Sequence, residues 1–224
     1  MTSVETLGYS QTALRDEDAA APALTFTALL LAGGLSRRMG TDKATLLVDG
    51  EPLWSRQIRL LRELKPQAVW VSARASPSWL PPDIRFVADQ PPSRGPLSGL
   101  AAALERIETT HLIALAADLP KMDAAHLRKL IAHTGPGCGV VPWNEEYFEP
   151  LCAVYPMKAA EIAGSLCAGE DVSLQNFVRT LVEARLVQPL ALAPWEKPFY
   201  ANLNTPADLS ALSGNTPARC PPST

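Results

Sequence analysis

Short, unbroken apolar runs alternate along this chain with segments whose apolar residues recur three or four positions apart. The first kind predicts strands buried on both faces, the second amphipathic helices. Strands are expected at 24–31, 68–72, 84–88 and 111–116, with two more at 140–142 and 151–155 flanking a turn. Helices are expected at 52–64, 97–104, 123–132, 161–166, 174–184 and 206–212. Over 52–64 the apolar positions are Leu53, Ile58, Leu60, Leu61 and Leu64, and Asp123 is placed to cap the helix that follows it. This alternation predicts an α/β fold: a mainly parallel sheet covered by helices on both faces. In such sheets ligands gather at the carboxyl ends of the strands. That rule brings the loop after Leu31, Asp89 and Asp118 to one edge.

Residues 1–24 are polar, acidic and aperiodic, and 213–224 are rich in small residues and proline, so a disordered leader and tail are expected around one domain at 25–212. The chain has 224 residues, 47% hydrophobic and 19% charged, with a net charge of −3. This mild acidity speaks against a nucleic-acid binder. No apolar run approaches the roughly 20 residues that span a bilayer. Cys138, Cys152, Cys167 and Cys220 show no metal-finger spacing, and His111, His126 and His133 form no ligand pair with them. Reduced thiols in a cytoplasmic protein are expected.

Against that acidity one stretch stands out. The run LLLAGGLSRRMGTDKATLL places Arg37, Arg38 and Lys43 within ten residues of Gly33-Gly34. Glycines can take positive φ and bring backbone N–H groups close to an anion, and the cations can grip phosphate oxygens. The spacing is neither GxGxxG nor GxxxxGK[ST], so a plain turn with solvated cations stays open.

Asp118 ends the run HLIALAAD and precedes Leu119-Pro120, where it can cap a loop or ligate Mg²⁺. Asp89 ends an earlier strand in the same way. Such a pair of carboxylates opposite a phosphate-binding loop suits metal-assisted phosphoryl or nucleotidyl transfer. Gly95-Pro96-Leu97-Ser98-Gly99 opens a helix with small residues that let a flat base approach the backbone. Asn202 and Asn204 alternate on an extended segment and point the same way.

Taken in order, LAGGLSRRMGTDK, then D…GPLSGL, a strand ending in D-L-P, PLCAVY and NLNTPADL resemble the molybdenum cofactor guanylyltransferases over nearly all of 25–212. The resemblance implies a Rossmann-like, three-layer α/β/α nucleotidyltransferase that joins GMP from GTP to molybdenum-molybdopterin and releases pyrophosphate. It implies that Leu31, Ala32, Gly33 and Gly34 touch the nucleotide, that Lys43 holds phosphates, and that Asp89 and Gly99 lie at the nucleotide site. Asp118 would bind Mg²⁺, Arg38 and Lys43 would neutralise the triphosphate, and Asn202 and Asn204 would lie on the acceptor side. Delivery proteins for the finished cofactor are the further partners it suggests. Three positions depart from the family. Val71-Ser72-Ala73-Arg74 lacks the usual asparagine, Glu149 stands where the strand usually begins with glutamine, and Glu170-Asp171 replaces a stretch that tends to be basic. A related transferase using CTP or another phosphorylated acceptor, and a nucleotide-binding regulator without turnover, are the alternatives.

Overall fold

The computed structural model describes residues 23–33, 43–89, 95–203 and 208. Gly34, Arg37, Arg38 and Asn204 lie outside them, as does the helix expected at 206–212 apart from Asp208. The elements are β1 (Phe26–Leu31), β2 (Leu47–Val48), β3 (Glu51–Pro52), α1 (Leu53–Glu63), β4 (Ala68–Ala73), β5 (Arg85–Ala88) and α2 (Pro96–Leu104). They continue with β6 (His111–Ala116), α3 (Ala124–Ala132), β7 (Gly139–Trp143), β8 (Cys152–Pro156), α4 (Ala159–Ala168), α5 (Leu174–Glu183) and β9 (Val187–Ala191).

Seven strands form one sheet in the order β5-β4-β1-β6-β8-β7-β9. β5, β4, β1 and β6 are mutually parallel, while β8 runs antiparallel to both β6 and β7, and β9 is parallel to β7. The central strands are unbroken apolar runs because both faces are covered. Ala28 and Leu30 of β1 pack with Ile58 and Leu61 of α1 and Leu127 and Leu130 of α3. Leu29 and Leu31, pointing the other way, pack with Leu97 and Leu100 of α2, Ala163 of α4 and Phe177 of α5. The three-layer α/β/α expectation is met.

Two pieces went unforeseen. β9 carries Pro189 between the exposed Gln188 and a half-buried Leu190, which reads poorly as a strand; at the sheet edge one missing N–H is tolerated. The β2–β3 hairpin turns on Asp49 and Gly50, at φ 53° and 81°, the pairing of left-handed residues that a tight hairpin needs.

Candidate functional site

The carboxyl edge of the parallel strands collects the expected residues into two groups. The first lies at the β1–β4–β5 end. Ala32 N–H donates to the Ser72 carbonyl at 2.9 Å, and Asp89 N–H to the Ala73 carbonyl at 3.1 Å, so both loops leave the sheet pinned to β4. The Ser72 hydroxyl donates to Asp89 Oδ1 at 3.1 Å. Gly99, on the second turn of α2, faces that pair. A Cβ there would sit 2.5 Å from Ser72 Oγ and 2.8 Å from Asp89 Oδ1, so any larger residue would push that pair out of place. Gly95 caps α2 at φ 109°, a conformation nearly closed to other residues, and Pro96 follows at the first turn.

Gly33 joins this group, but not for the reason expected. Its φ is not positive, and a Cβ would meet the Ala73 Cα at 3.4 Å, Asp89 Oδ2 at 3.7 Å and the Arg74 backbone N at 3.9 Å, all ordinary contacts. Its contribution is openness beside Asp89. Leu31 is buried in the β1 core, so its side chain serves packing, while the Leu31 carbonyl accepts from Ala117 N–H at 3.0 Å and ties β1 to the end of β6.

The second group surrounds Asp118. Lys43, on a short 3-10 turn at Lys43–Thr45, places Nζ 4.0 Å from Asp118 Oδ2, with both side chains about a quarter exposed. Burial raises the Asp118 carboxyl above its ordinary value, and the Lys43 charge pulls it partly back. Leu203 N–H donates to the Asp118 carbonyl at 2.9 Å, which brings the exposed Asn202 to the same rim.

Asp89 follows β5 and Asp118 follows β6, three strand intervals apart, or about 14 Å at ~4.8 Å each. The two carboxylates do not share one ion. Among the described residues no three His, Cys, Asp or Glu side chains cluster as a metal cage. Asp118 alone still fits Mg²⁺, which is commonly held by one or two carboxylates together with substrate phosphates. Glu170 and Asp171 are exposed, and Asp171 Oδ1 accepts from Ser173 N–H at 2.8 Å to lead the chain into α5.

A network behind the rim escaped the sequence, because its members lie far apart in the chain. The Tyr200 hydroxyl, His126 and Glu196 form a buried row that Lys129, partly exposed, closes at its outer end. Asp123 does cap α3, accepting from His126 N–H at 2.7 Å, which aims His126 inward. Glu149, marked in the sequence only as a departure, takes a defined seat here. It is half-buried beside Asn144, and burial pushes its carboxyl up to about 7.

Residues 28–186 match the MobA-like NTP transferase domain family. A relative from Opitutus terrae, named "Probable molybdenum cofactor guanylyltransferase", is 37% identical over 80% of this chain and 90% of its own. The molybdenum cofactor guanylyltransferase of Xanthomonas euvesicatoria is 32% identical over 86% of this chain and 96% of its own. In fold the chain is similar to molybdopterin-guanine dinucleotide biosynthesis protein A from Archaeoglobus fulgidus. The TM-score is 0.63 at 22% identity, over 83% of this chain and 96% of that one. With its sheet, its two-part rim and this match over most of its length, the chain belongs to the MobA-like NTP transferase family and is a nucleotidyltransferase.

Proposed function

We propose that this enzyme transfers GMP from GTP to molybdenum-molybdopterin, forming molybdopterin guanine dinucleotide and pyrophosphate. The observation that carries the reading is the facing of Lys43 and Asp118 across the open edge of the sheet, with Asn202 tied alongside through Leu203. A cation and a carboxylate there suit a triphosphate that loses pyrophosphate. The names of the relatives supply the acceptor.

In this reading Asp89, Ser72 and Gly99 seat the base. The Asp89 carboxylate is an acceptor only, which suits the adjacent N–H donors of guanine better than the single exocyclic amine of cytosine. That favours GTP over CTP. Lys43, with Arg38 beside it in sequence, offsets charge on the phosphates, and Asp118 holds Mg²⁺. Bound at Asp118, Mg²⁺ would supply charge neutralisation at the phosphate oxygens. The acceptor's terminal phosphate attacks the α-phosphorus in line, a new P–O bond forms and the bond to pyrophosphate breaks. No covalent enzyme intermediate is involved. Residues 25–212 act as one catalytic domain, working in the cytoplasm and passing the product to molybdenum cofactor delivery proteins. No helix among the described residues is long and apolar enough to cross a membrane.

Pyrophosphate release from GTP and from CTP, each with and without molybdenum-molybdopterin, tests this. Release that requires both GTP and the acceptor is expected. Tight GTP binding without release would instead make the chain a regulator.

A further inference from the structure

Beside Asp118 the rim opens into a cleft of about 320 Å³ lined by Asn144, Tyr147, Glu149, Lys197, Tyr200 and Ala201. That is the lower end of the size of small-molecule pockets, about 300–1,000 Å³. Both walls are tied to the chemistry. On one side Ala116 N–H donates to the Leu151 carbonyl at 2.7 Å, two residues from Glu149. On the other, Leu203 N–H reaches the Asp118 carbonyl, two residues from Ala201.

The cleft is built rather than incidental. Asn144 Oδ1 accepts from the N–H groups of Glu146 and Tyr147, at 3.1 and 2.9 Å, which fixes the amide so that its Nδ2 donates to Glu149 Oε1 at 3.3 Å. Gln175 of α5 clamps the next turn residue, accepting from Phe148 N–H at 3.0 Å and donating to its carbonyl at 2.9 Å. One Glu149 oxygen thereby accepts once and the other has no protein partner among the described residues, so both keep a lone pair for a ligand.

We propose that this cleft receives the heterocyclic end of the acceptor, and that the Glu149 carboxylate reads a 2-amino-4-oxopyrimidine edge through its adjacent N–H donors. The proposal rests on guanylyl transfer to a pterin-bearing acceptor. A carboxylate matches two neighbouring donors, whereas an amide at the same position would set its own NH₂ against one of them. The other charged or titratable groups facing Glu149 do not supply this match. Glu145 and Lys197 pair with each other at 3.0 Å, and Glu146 is exposed on the turn. Tyr147 is also exposed, and burial pushes the Tyr200 hydroxyl and the Cys152 thiol upward, so both stay neutral. Because burial holds Glu149 near 7, the cleft gains its carboxylate across neutral pH.

The test is fluorescence titration of the whole protein with unsubstituted pterin, which lacks phosphate and needs no nucleotide, from pH 5 to pH 7, below the range where the pterin ring loses its own N3–H. Wild-type affinity is expected to rise with pH across this range, by up to about tenfold per unit at its acid end. E149Q should bind about tenfold or more weakly at pH 7, with a flat profile. E149D, which keeps the carboxylate, should retain the slope. In turnover assays E149Q should raise the acceptor KM and leave the GTP KM alone. Equal pterin affinity in wild type and E149Q, or a wild-type profile without slope, overturns the proposal. Absence of GTP-dependent turnover in wild type would overturn guanylyl transfer instead, and the pterin titration still decides the cleft.

Discussion

The Tyr200 hydroxyl lies 2.6 Å from His126 Nε2, and the other ring nitrogen faces the buried Glu196 at 3.3 Å. Burial alone would raise the Glu196 carboxyl, but Lys129 at 2.6 Å and the Ala193 amide outweigh it and hold it below its ordinary value. Ionised Glu196 therefore takes the Nδ1 hydrogen, and Nε2 accepts from Tyr200. The row locks the turn that leads into Asn202.

This arrangement sets a pH limit on stability. Burial, more than the neighbouring charges, lowers His126 below its ordinary 6.5, so the unfolded chain binds the proton more readily than the folded one. The contribution is complete above about pH 6.5 and is lost as the pH falls through that value toward the lower folded one. Thermal unfolding should show Tm declining below pH 6.5 in wild type and declining less in His126→Gln. Parallel slopes in the two proteins would remove His126 from the effect.

Replacing Asp118 with asparagine keeps the shape of the side chain and removes its charge. Turnover should drop by about 10³-fold with Tm nearly unchanged, since metal stabilisation is worth several kcal/mol and each ~1.4 kcal/mol is tenfold. Steady-state rates over a Mg²⁺ series check it. Retention of a tenth of wild-type activity would rule out a metal-holding role.

Lys43→Ala should weaken GTP binding and slow the chemical step together, by about tenfold or more each, because its ammonium acts on phosphate charge. Guanosine, which has no phosphates, should bind both proteins alike. Calorimetric titration with the two ligands separates the cases; an equal loss for guanosine would make Lys43 a structural residue.

Gly99→Ala tests the base end. The added methyl displaces the ends of Ser72 and Asp89, both able to rotate away, so stability should fall by only about 1 kcal/mol. GTP affinity should fall about tenfold while the acceptor KM stays put, if Asp89 reads the base. Unchanged GTP affinity would move the base elsewhere.

Much of this was legible in the chain. Continuous apolar runs mark strands covered on both faces, and α1, α3 and α5 announce themselves by apolar spacing or, for α3, by the cap Asp123. The rule that sites lie at strand carboxyl ends also located Asp89 and Asp118. What escaped depends on contacts between distant segments. β9 hides behind Pro189, the three-strand separation of Asp89 from Asp118 follows from strand order, and the row from Lys129 to Tyr200 spans residues that no local pattern links. Glu149 was visible only as an unexpected residue; its half-buried seat beside Asn144 exists only after β7 and β8 pair.

The reversal of β8 has a consequence for how such enzymes diversify. Because this strand runs against its neighbours, its beginning, not its end, arrives at the working rim, bringing the 144–149 turn with it. Gly33, Ser72, Asp89 and Gly99 sit on other elements, at the ends of β1, β4 and β5 and on α2, where Ser72 and Asp89 bond to each other. Lengthening or resequencing the turn therefore alters one half of the rim as a separate module, and a descendant can change partner molecules while inheriting the Ser72, Asp89 and Gly99 group intact.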